Sequence, residues 1–276
     1  MDQYCVLGNP VEHSKSPWIH ARFAQLTGQH MTYGKRLVPL DGFVAGLAAF
    51  RAEGGKGCNI TVPFKFEAAP LATTRTARAR LAQACNTLRF DDESTVFADN
   101  TDGLGLVADI QGNAGVAIAR RELLLIGAGG AAAGVLGPLI EARPRRIVVA
   151  NRTAERAHSL VERHTGLARD HGVVLATVAL DAAGDPFDIV VNATASSLSG
   201  SGIPVPDSVL KPGTLAVDMM YGPAAEGFMA WARARGAVPR DGLGMLVEQA
   251  AEAFLVFRGV RPPSAQVLAE LRASLV

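Results

Sequence analysis

Six consecutive residues, Gly127-Ala128-Gly129-Gly130-Ala131-Ala132, follow the aliphatic run Leu123-Leu124-Leu125-Ile126 and spell G-x-G-x-x-A. That spacing suits the pyrophosphate of a dinucleotide: Gly127 permits the tight turn, Gly129 lets backbone approach a phosphate, and Ala132 and Gly134 allow a helix to pack closely on a strand. The start of that helix, at Gly130 and Ala131, offers free N–H groups and a partial positive charge. An NAD site places Asp or Glu about 20 residues further on, against the ribose 2′-hydroxyl. Here the chain reads Asn151-Arg152-Thr153, with Arg156 one helical turn later. Arg152 and Arg156 share a helix face. Alone they would read as solvent-facing arginines. With the acid missing, their two guanidinium groups suit a 2′-phosphate by charge and by bidentate geometry. The pattern points to NADP as cofactor.

Hydride exchange between a nicotinamide and a hydroxyl-bearing carbon also needs a side chain that moves the hydroxyl proton. None of the six histidines (His13, His20, His30, His158, His164, His171) sits in a recognisable catalytic setting, and no Tyr-x-x-x-Lys pair occurs. The polar residues of the first hundred positions remain. Ser14 and Ser16 flank Lys15; Ser16 reads as a helix N-cap before Pro17, a role Ser14 lacks. Asn59 and Thr61 alternate on a strand and share its face. Asn86 opens another strand. Lys65, just after Pro63, would alone be a solvated surface charge, and Asp102 would alone be a helix cap. The need for a proton carrier makes Lys65 and Asp102 the candidate acid/base pair. No His-Glu-x-x-His motif or Cys/His cluster exists, so no metal site is expected.

Two α/β lobes must hold these groups. In the first half, strands are expected at 4–8, 31–38 and 57–62 and helices from 16, over 41–52 and over 74–84. A hairpin is expected from 86–90 and 95–98, and a helix from Asp102. From 121 onward, strands at 122–126, 146–150, 173–178, 187–192 and 214–218 alternate with helices at 130–142, 153–164 and 224–235, which implies parallel sheet. A long helix from about 242 to 258 and a last one over 263–275 could pack on either lobe. The uncharged stretch 123–140 reaches the length of a membrane span, but its glycines split it into strand, turn and helix.

Composition narrows the classes further. Of 276 residues, 49% are apolar and 19% charged, enough to bury a sizeable core. Lys and Arg total 27 against 26 Asp and Glu, a net charge of +1 that speaks against a general nucleic-acid partner. Three cysteines, Cys5, Cys58 and Cys85, form no C-x-x-C pair and read as buried thiols of a cytoplasmic protein. The N-terminus has no signal-peptide pattern. Glycine numbers 29, against roughly 19 at average usage; the surplus belongs in tight turns and near a ligand.

The chain resembles the shikimate dehydrogenase family over nearly its whole length. The resemblance rests on Gly8-Asn9-Pro10, His13-Ser14-Lys15-Ser16-Pro17, Asn59-Ile60-Thr61-Val62-Pro63-Phe64-Lys65, Asn86-Thr87-Leu88 and Asp99-Asn100-Thr101-Asp102-Gly103, then on the glycine run and Asn151-Arg152-Thr153. Asn192-Ala193-Thr194, Asp218-Met219-Met220-Tyr221, Asp241-Gly242-Leu243-Gly244-Met245 and Gln249 complete it. It implies an N-terminal α/β substrate lobe, residues 1–102, with the C-terminal helices 242–276 packing back on it. It also implies a Rossmann-like NADP lobe with parallel sheet at 103–241. Lys65 and Asp102 would be catalytic; Ser14, Ser16, Thr61, Lys65, Asn86, Asp102, Tyr221 and Gln249 would hold shikimate. Gly127, Ala128, Gly129, Gly130, Ala131, Asn151, Arg152, Thr153 and Arg156 would bind NADP, with Met219 and Gly242 beside the nicotinamide. The implied reaction is reversible reduction of 3-dehydroshikimate in aromatic amino-acid biosynthesis, by a monomer or homodimer acting on small molecules. The chain departs from the family after Thr194, where Ala195 replaces a common Ser, in the loop 199–206, and at Cys85, read as packing. An NAD-dependent quinate enzyme would carry an acid after the second strand of the cofactor lobe, and a non-catalytic regulator would lack Lys65 or Asp102.

Overall fold

Aliphatic strands and the helices between them build two sheets in the computed structural model, which describes residues 1–92, 94–194 and 202–275. Contacts divide the chain into one unit of Met1–Gly105 with Leu246–Val276 and a second of Leu106–Met245. Positions 195–201, which include Ala195 and the start of the 199–206 loop, lie outside the described residues.

The first unit contains β1 (Asp2–Gly8), β2 (Met31–Leu37), β3 (Gly55–Ile60), β4 (Thr74–Arg75), β5 (Thr87–Phe90) and β6 (Val96–Asp99), in the order β2-β1-β3-β5-β6-β4. β1 pairs in parallel with β2 and β3, while β5 and β6 form an antiparallel hairpin beside β3. Its helices are α1 (Ser16–Thr27), α2 (Phe43–Ala52), α3 (Lys65–Ala68) and α4 (Ala77–Ala82). Leu7, Phe43, Cys58, Phe64 and Leu88 fill a core beneath the sheet.

Three local expectations are corrected. Residues 74–84 are not one helix: Thr73 Oγ1 donates to Val96 O and accepts from Val96 N, which holds Thr74–Arg75 as β4 against β6. α4 starts only at Ala77, where Thr76 Oγ1 accepts from Ala79 N. Ser16 is not the N-cap of α1 but its first residue; Lys15 is the N-cap, and the Ser14 hydroxyl accepts from Ser16 N at 3.3 Å. Thr61 lies beyond the end of β3, so it does not share a strand face with Asn59.

The second unit is a fully parallel sheet in the order β12-β11-β10-β7-β8-β9. Its strands are β7 (Glu122–Ile126), β8 (Arg146–Ala150), β9 (Val174–Val178), β10 (Ile189–Asn192), β11 (Leu215–Asp218) and β12 (Val238–Arg240). Helices α6 (Gly130–Glu141), α7 (Ala154–His171) and α8 (Glu226–Arg233) connect them. β12 was not expected, being three residues with a central Pro239. α7 runs past 164 because Ala157, Leu160, His164 and Ala168 continue one buried face to its left-handed cap at Gly172. The chain leaves β7 toward β8 and β9, then returns to its other side as β10. The ends of β7 and β10 therefore flank the switch point where such sheets bind ligands. Among the described residues, no helix is long and apolar enough to cross a membrane.

Two helices carry chain from one unit into the other: α5 (Asp102–Ala108), which continues into a π-helical turn at Asp109–Asn113, and α9 (Leu243–Arg258). The last helix, α10 (Ser264–Ala273), is tied to α1 by Arg22 and Glu270 at 2.7 Å.

Candidate active site

In the first unit the sequence candidates Lys65, Asn86, Asp102 and Gln249 meet. Lys65 is the first residue of α3, placed there because Pro63 ends the extended segment; its carbonyl accepts from Cys85 N at 3.0 Å. Asp102 is the first residue of α5 and is buried. Lys65 Nζ donates to Asp102 Oδ2 at 2.5 Å, with side-chain exposures of 14% and 6%, so little water competes for this pair. Asp102 Oδ1 accepts from Asn86 Nδ2 at 2.8 Å. Asn86 Nδ2 also reaches Thr101 Oγ1 at 2.9 Å and Gln249 Oε1 at 3.2 Å, three acceptors for two hydrogens.

The segment that presents Asp102 is pinned from below. Asp99, 1% exposed, accepts from Thr76 Oγ1 at 2.7 Å, from Arg78 Nε at 2.8 Å and Nη2, and from Asn100 N at 2.7 Å. Asn100 Nδ2 donates to Ala84 O, and Asn100 Oδ1 accepts from Asp102 N. Gln249 comes close because Gly105 on α5 has no side chain: a Cβ there would lie 2.6 Å from Gln249 N.

Ser14, just before α1, and Thr61, just after β3, sit on two loops stitched together by Asn9 N donating to Val62 O at 2.9 Å, and Ser16 opens α1. No hydrogen bond joins their side chains to the Lys65–Asp102 pair among the described residues. Cys85 is buried beside Lys65, and burial pushes its thiol up to about 12, which leaves it a packing group and no nucleophile. Cys5 and Cys58 are likewise buried and raised, and all three cysteines are free.

The second unit holds the other candidates. Gly127, the residue after β7, has φ +110°, a conformation open to glycine; a Cβ would also press on Thr194 Cγ2 at 3.1 Å and Ala193 O at 3.2 Å. Gly129 is the N-cap of α6 in extended conformation, and among the described residues a Cβ on it would meet nothing within 4 Å. The turn Gly127-Ala128-Gly129-Gly130-Ala131 thus leaves an open backbone cradle before a helix N-terminus, which fits a pyrophosphate. β8 stops at Ala150; Asn151 Nδ2 donates to Thr153 O at 2.8 Å and shapes the turn into α7. Arg152 and Arg156 are both exposed, but they do not share a helix face as expected: Arg152 stands in the turn before the N-cap Thr153, and only Arg156 lies on α7. Asn192 and Asp218, both buried, end β10 and β11 and share a hydrogen bond of 3.2 Å. Met219 and Tyr221 follow Asp218, and Gly242 N donates to Met220 O at 2.8 Å. No group of three or more His, Cys, Asp or Glu that could hold a metal ion occurs among the described residues.

Sequence reasoning missed four contributors. Tyr33, Thr87 and Thr101 hydrogen-bond within the network, and Arg78 anchors Asp99. Asp99-Asn100-Thr101, a polar run between a strand and a helix, was the available signal for part of this; Tyr33 had none nearby.

Family models match three stretches of the chain: a shikimate dehydrogenase substrate binding domain at 6–88, a shikimate/quinate 5-dehydrogenase at 110–199, and a shikimate 5′-dehydrogenase C-terminal domain at 242–272. The chain is 68% identical over 274 residues to the shikimate dehydrogenase (NADP(+)) of Paracidovorax citrulli, covering 99% of this chain and 98% of that one. It is 53% identical to the protein of that name from Dechloromonas aromatica, over 100% and 99%. Among solved structures, an Ael1 enzyme from Pseudomonas putida matches with TM-score 0.88 at 45% identity, over 98% of both chains. A Thermus thermophilus shikimate 5-dehydrogenase in complex with NADP(H) and shikimate matches with TM-score 0.85 at 30% identity, over 100% of both.

Proposed function

The chain belongs to the shikimate dehydrogenase family, and from that premise we propose the part each of its residues plays. It is an NADP-dependent oxidoreductase acting on a CH–OH group, interconverting 3-dehydroshikimate and shikimate in chorismate and aromatic amino-acid biosynthesis. The observation that carries the residue assignment is the buried Lys65–Asp102–Asn86 chain.

NADPH, when bound, supplies the hydride. As the ketone carbon is reduced, negative charge grows on its oxygen. Lys65, as ammonium, stabilises that oxygen and gives it a proton; in the oxidation direction the neutral amine takes the proton back. Nζ carries three hydrogens, and Asp102 Oδ2 holds one, leaving the others for substrate. Asp102 orients Lys65, and Asn86 fixes the plane of the Asp102 carboxylate by holding Oδ1. Ser14, Ser16, Thr61, Asn86, Tyr221 and Gln249 bind the hydroxyls and carboxylate of shikimate.

In the second unit, the N–H groups from Gly127 to Ala131 take the pyrophosphate. Asn151, Arg152, Thr153 and Arg156 take the 2′-phosphate end, and Met219 and Gly242 border the nicotinamide. Residues 1–102 with the C-terminal helices thus form the substrate lobe and 103–241 the cofactor lobe of a cytoplasmic monomer or homodimer.

The test is Lys65→Ala. Its kcat for shikimate oxidation falls by about 10²–10⁴, while NADPH binding by calorimetry stays near that of the parent. Comparable turnover in the variant removes Lys65 from the chemistry. Wild-type rates with shikimate and quinate, each against NADP⁺ and NAD⁺, check the substrate assignment; activity confined to quinate with NAD⁺ overturns it.

A further inference from the structure

We propose that Tyr33, Asn59 and Thr87 are positioning residues for the Lys65–Asp102 pair, acting as a one-directional chain of hydrogen bonds that sets which way round the Asn86 amide stands. The inference rests on the reading of Lys65 and Asp102 as the acid/base pair.

The direction of the chain follows from donor and acceptor counting. The backbone carbonyl of Asn86 can only accept. It takes a hydrogen bond from Asn59 Nδ2 at 3.0 Å, so Asn59 must present its NH₂ group there. The same Nδ2 donates to Thr87 Oγ1 at 3.0 Å; Asn59 and Thr87 are register partners on β3 and β5. Asn59 Oδ1 then faces the Tyr33 hydroxyl at 2.7 Å, and that hydroxyl donates. β1 lies between β2 and β3, so this bond reaches across a whole strand.

Thr87 Oγ1, having accepted from Asn59, turns its single proton to Asn86 Oδ1 at 2.9 Å. Thr101 N donates to the same oxygen at 2.9 Å. With Oδ1 facing the Thr87 hydroxyl and Thr101 N, and Thr101 Oγ1 also within 3.2 Å of it, Asn86 Nδ2 must point at Asp102 Oδ1 and Thr101 Oγ1. The opposite flip would set Asn86 Oδ1 against the Asp102 carboxylate, acceptor against acceptor. Asp102 is left with Oδ2 for Lys65.

Thr87 is fully buried, and Asn59 and Asn86 nearly so, so water cannot stand in for the Thr87 hydroxyl between them; Tyr33, on the edge strand, is partly exposed. The wall behind Tyr33 supports the same reading. His20 stacks on the phenol ring with centroids 4.1 Å apart and planes 4° apart. Among the described residues neither ring nitrogen of His20 has a hydrogen-bond partner, so it holds the ring without competing for the hydroxyl.

Thr87→Val keeps the shape and loses the hydroxyl; Thr87→Ser keeps the hydroxyl. In the full-length protein, Thr87→Val should lower kcat for shikimate oxidation about tenfold, the effect of one buried hydrogen bond, with KM for NADP⁺ within about twofold of wild type. Thr87→Ser should recover kcat. Tyr33→Phe, on the edge strand β2, should move kcat in the same direction as the valine variant.

A second readout does not use turnover: acetylation of Lys65 by acetic anhydride, followed by mass spectrometry against exposed Lys56 between about pH 7 and 10. The valine variant should label Lys65 faster, and the serine variant should match wild type. Wild-type kcat and labelling in the valine variant overturn the proposal. So does an equal fall in kcat for valine and serine with labelling unchanged, which would mark packing. A wild-type protein that fails to turn over shikimate, yet whose Lys65 labelling follows the Thr87 hydroxyl, keeps the chain of hydrogen bonds and removes the functional assignment instead.

Discussion

Gly105→Ala isolates the way Gln249 is held. A methyl group on Gly105 would sit 2.6 Å from Gln249 N and Cβ and 2.8 Å from its Cα. Favourable carbon contacts begin near roughly 3.5 Å, so about 1 Å must be found, and two of the three atoms are backbone that cannot rotate away. Overpacking of this kind costs about 1–3 kcal/mol. At about 2 kcal/mol, and about 2–4 °C per kcal/mol for a chain of this size, Tm falls by about 4–8 °C. The chemical effect is local. Gln249 Oε1 already stands 3.2 Å from Asn86 Nδ2, and a further ångström breaks the bond. Losing one hydrogen bond at the proposed shikimate site raises KM for shikimate about tenfold. KM for NADP⁺ stays within about twofold, since Gly127, Arg152 and Arg156 belong to the second unit. Gly34→Ala is the control: among the described residues a Cβ on Gly34 meets nothing within 4 Å, and neither quantity should move. Thermal melts and steady-state kinetics with each ligand varied provide the readings. A Gly105→Ala protein with unchanged Tm and unchanged KM for shikimate would refute the reasoning, and so would an equal rise in both KM values.

Replacing both Arg152 and Arg156 by alanine should raise KM for NADP⁺ at least about tenfold, since each charge-assisted contact contributes about 1.5–3 kcal/mol; KM for NAD⁺ should hardly change, and a parallel rise would dissociate these arginines from the 2′-phosphate. Burial pushes the His20 imidazole down to about 3, while in the unfolded chain it titrates near 6.5. The unfolded state therefore binds the extra proton between those values, so the stability due to neutral His20 is complete above about pH 6.5 and is lost as pH falls toward 3, by up to about 1.4 kcal/mol per unit. Urea midpoints at pH 5 and pH 7 should differ less in His20→Phe than in wild type; an equal difference would assign the pH dependence to another group.

The second unit was the more legible. Alternating strands and helices gave its β7 to β11 within a residue or two, because β7, β8, β10 and β11, covered on both faces, read as plain aliphatic runs, and β9 follows a helix in the same alternation. What failed there was short or depended on a distant partner: β12 is defined by pairing with β11, and Val238-Pro239-Arg240 carries no strand pattern of its own. In the first unit, 74–84 looked helical because Ala77 to Ala82 is helical; only Thr73 bonding to Val96, 23 positions away, turns Thr74–Arg75 into a strand. Ser16 reads as the N-cap in the sequence, but capping depends on where the first helical φ/ψ falls, and Lys15 rather than Ser16 occupies that junction.

The same contrast explains which parts of the site could be read. A phosphate turn is a local device: Gly127 and Gly129 act through their own backbone, and Asn151 to Arg156 lie within one turn and the start of one helix, so the residue types and their spacing contain the chemistry. The acid/base site has no such locality. Lys65 meets Asp102 across 37 positions, Asn86 meets Gln249 across 163, and Tyr33 meets Asn59 across 26. Each of these residues has a commoner role when taken alone: surface lysine, helix-capping aspartate, strand asparagine, core tyrosine. Family resemblance supplies the residues that touch ligands, because those recur at fixed places in its motifs. It is silent on residues that act by choosing between two flips of an amide, because that choice exists only once donors and acceptors from five segments are counted together. Tyr33 and Thr87 belong to this second kind, and substitutions that keep shape but remove a hydroxyl are the ones that separate the two.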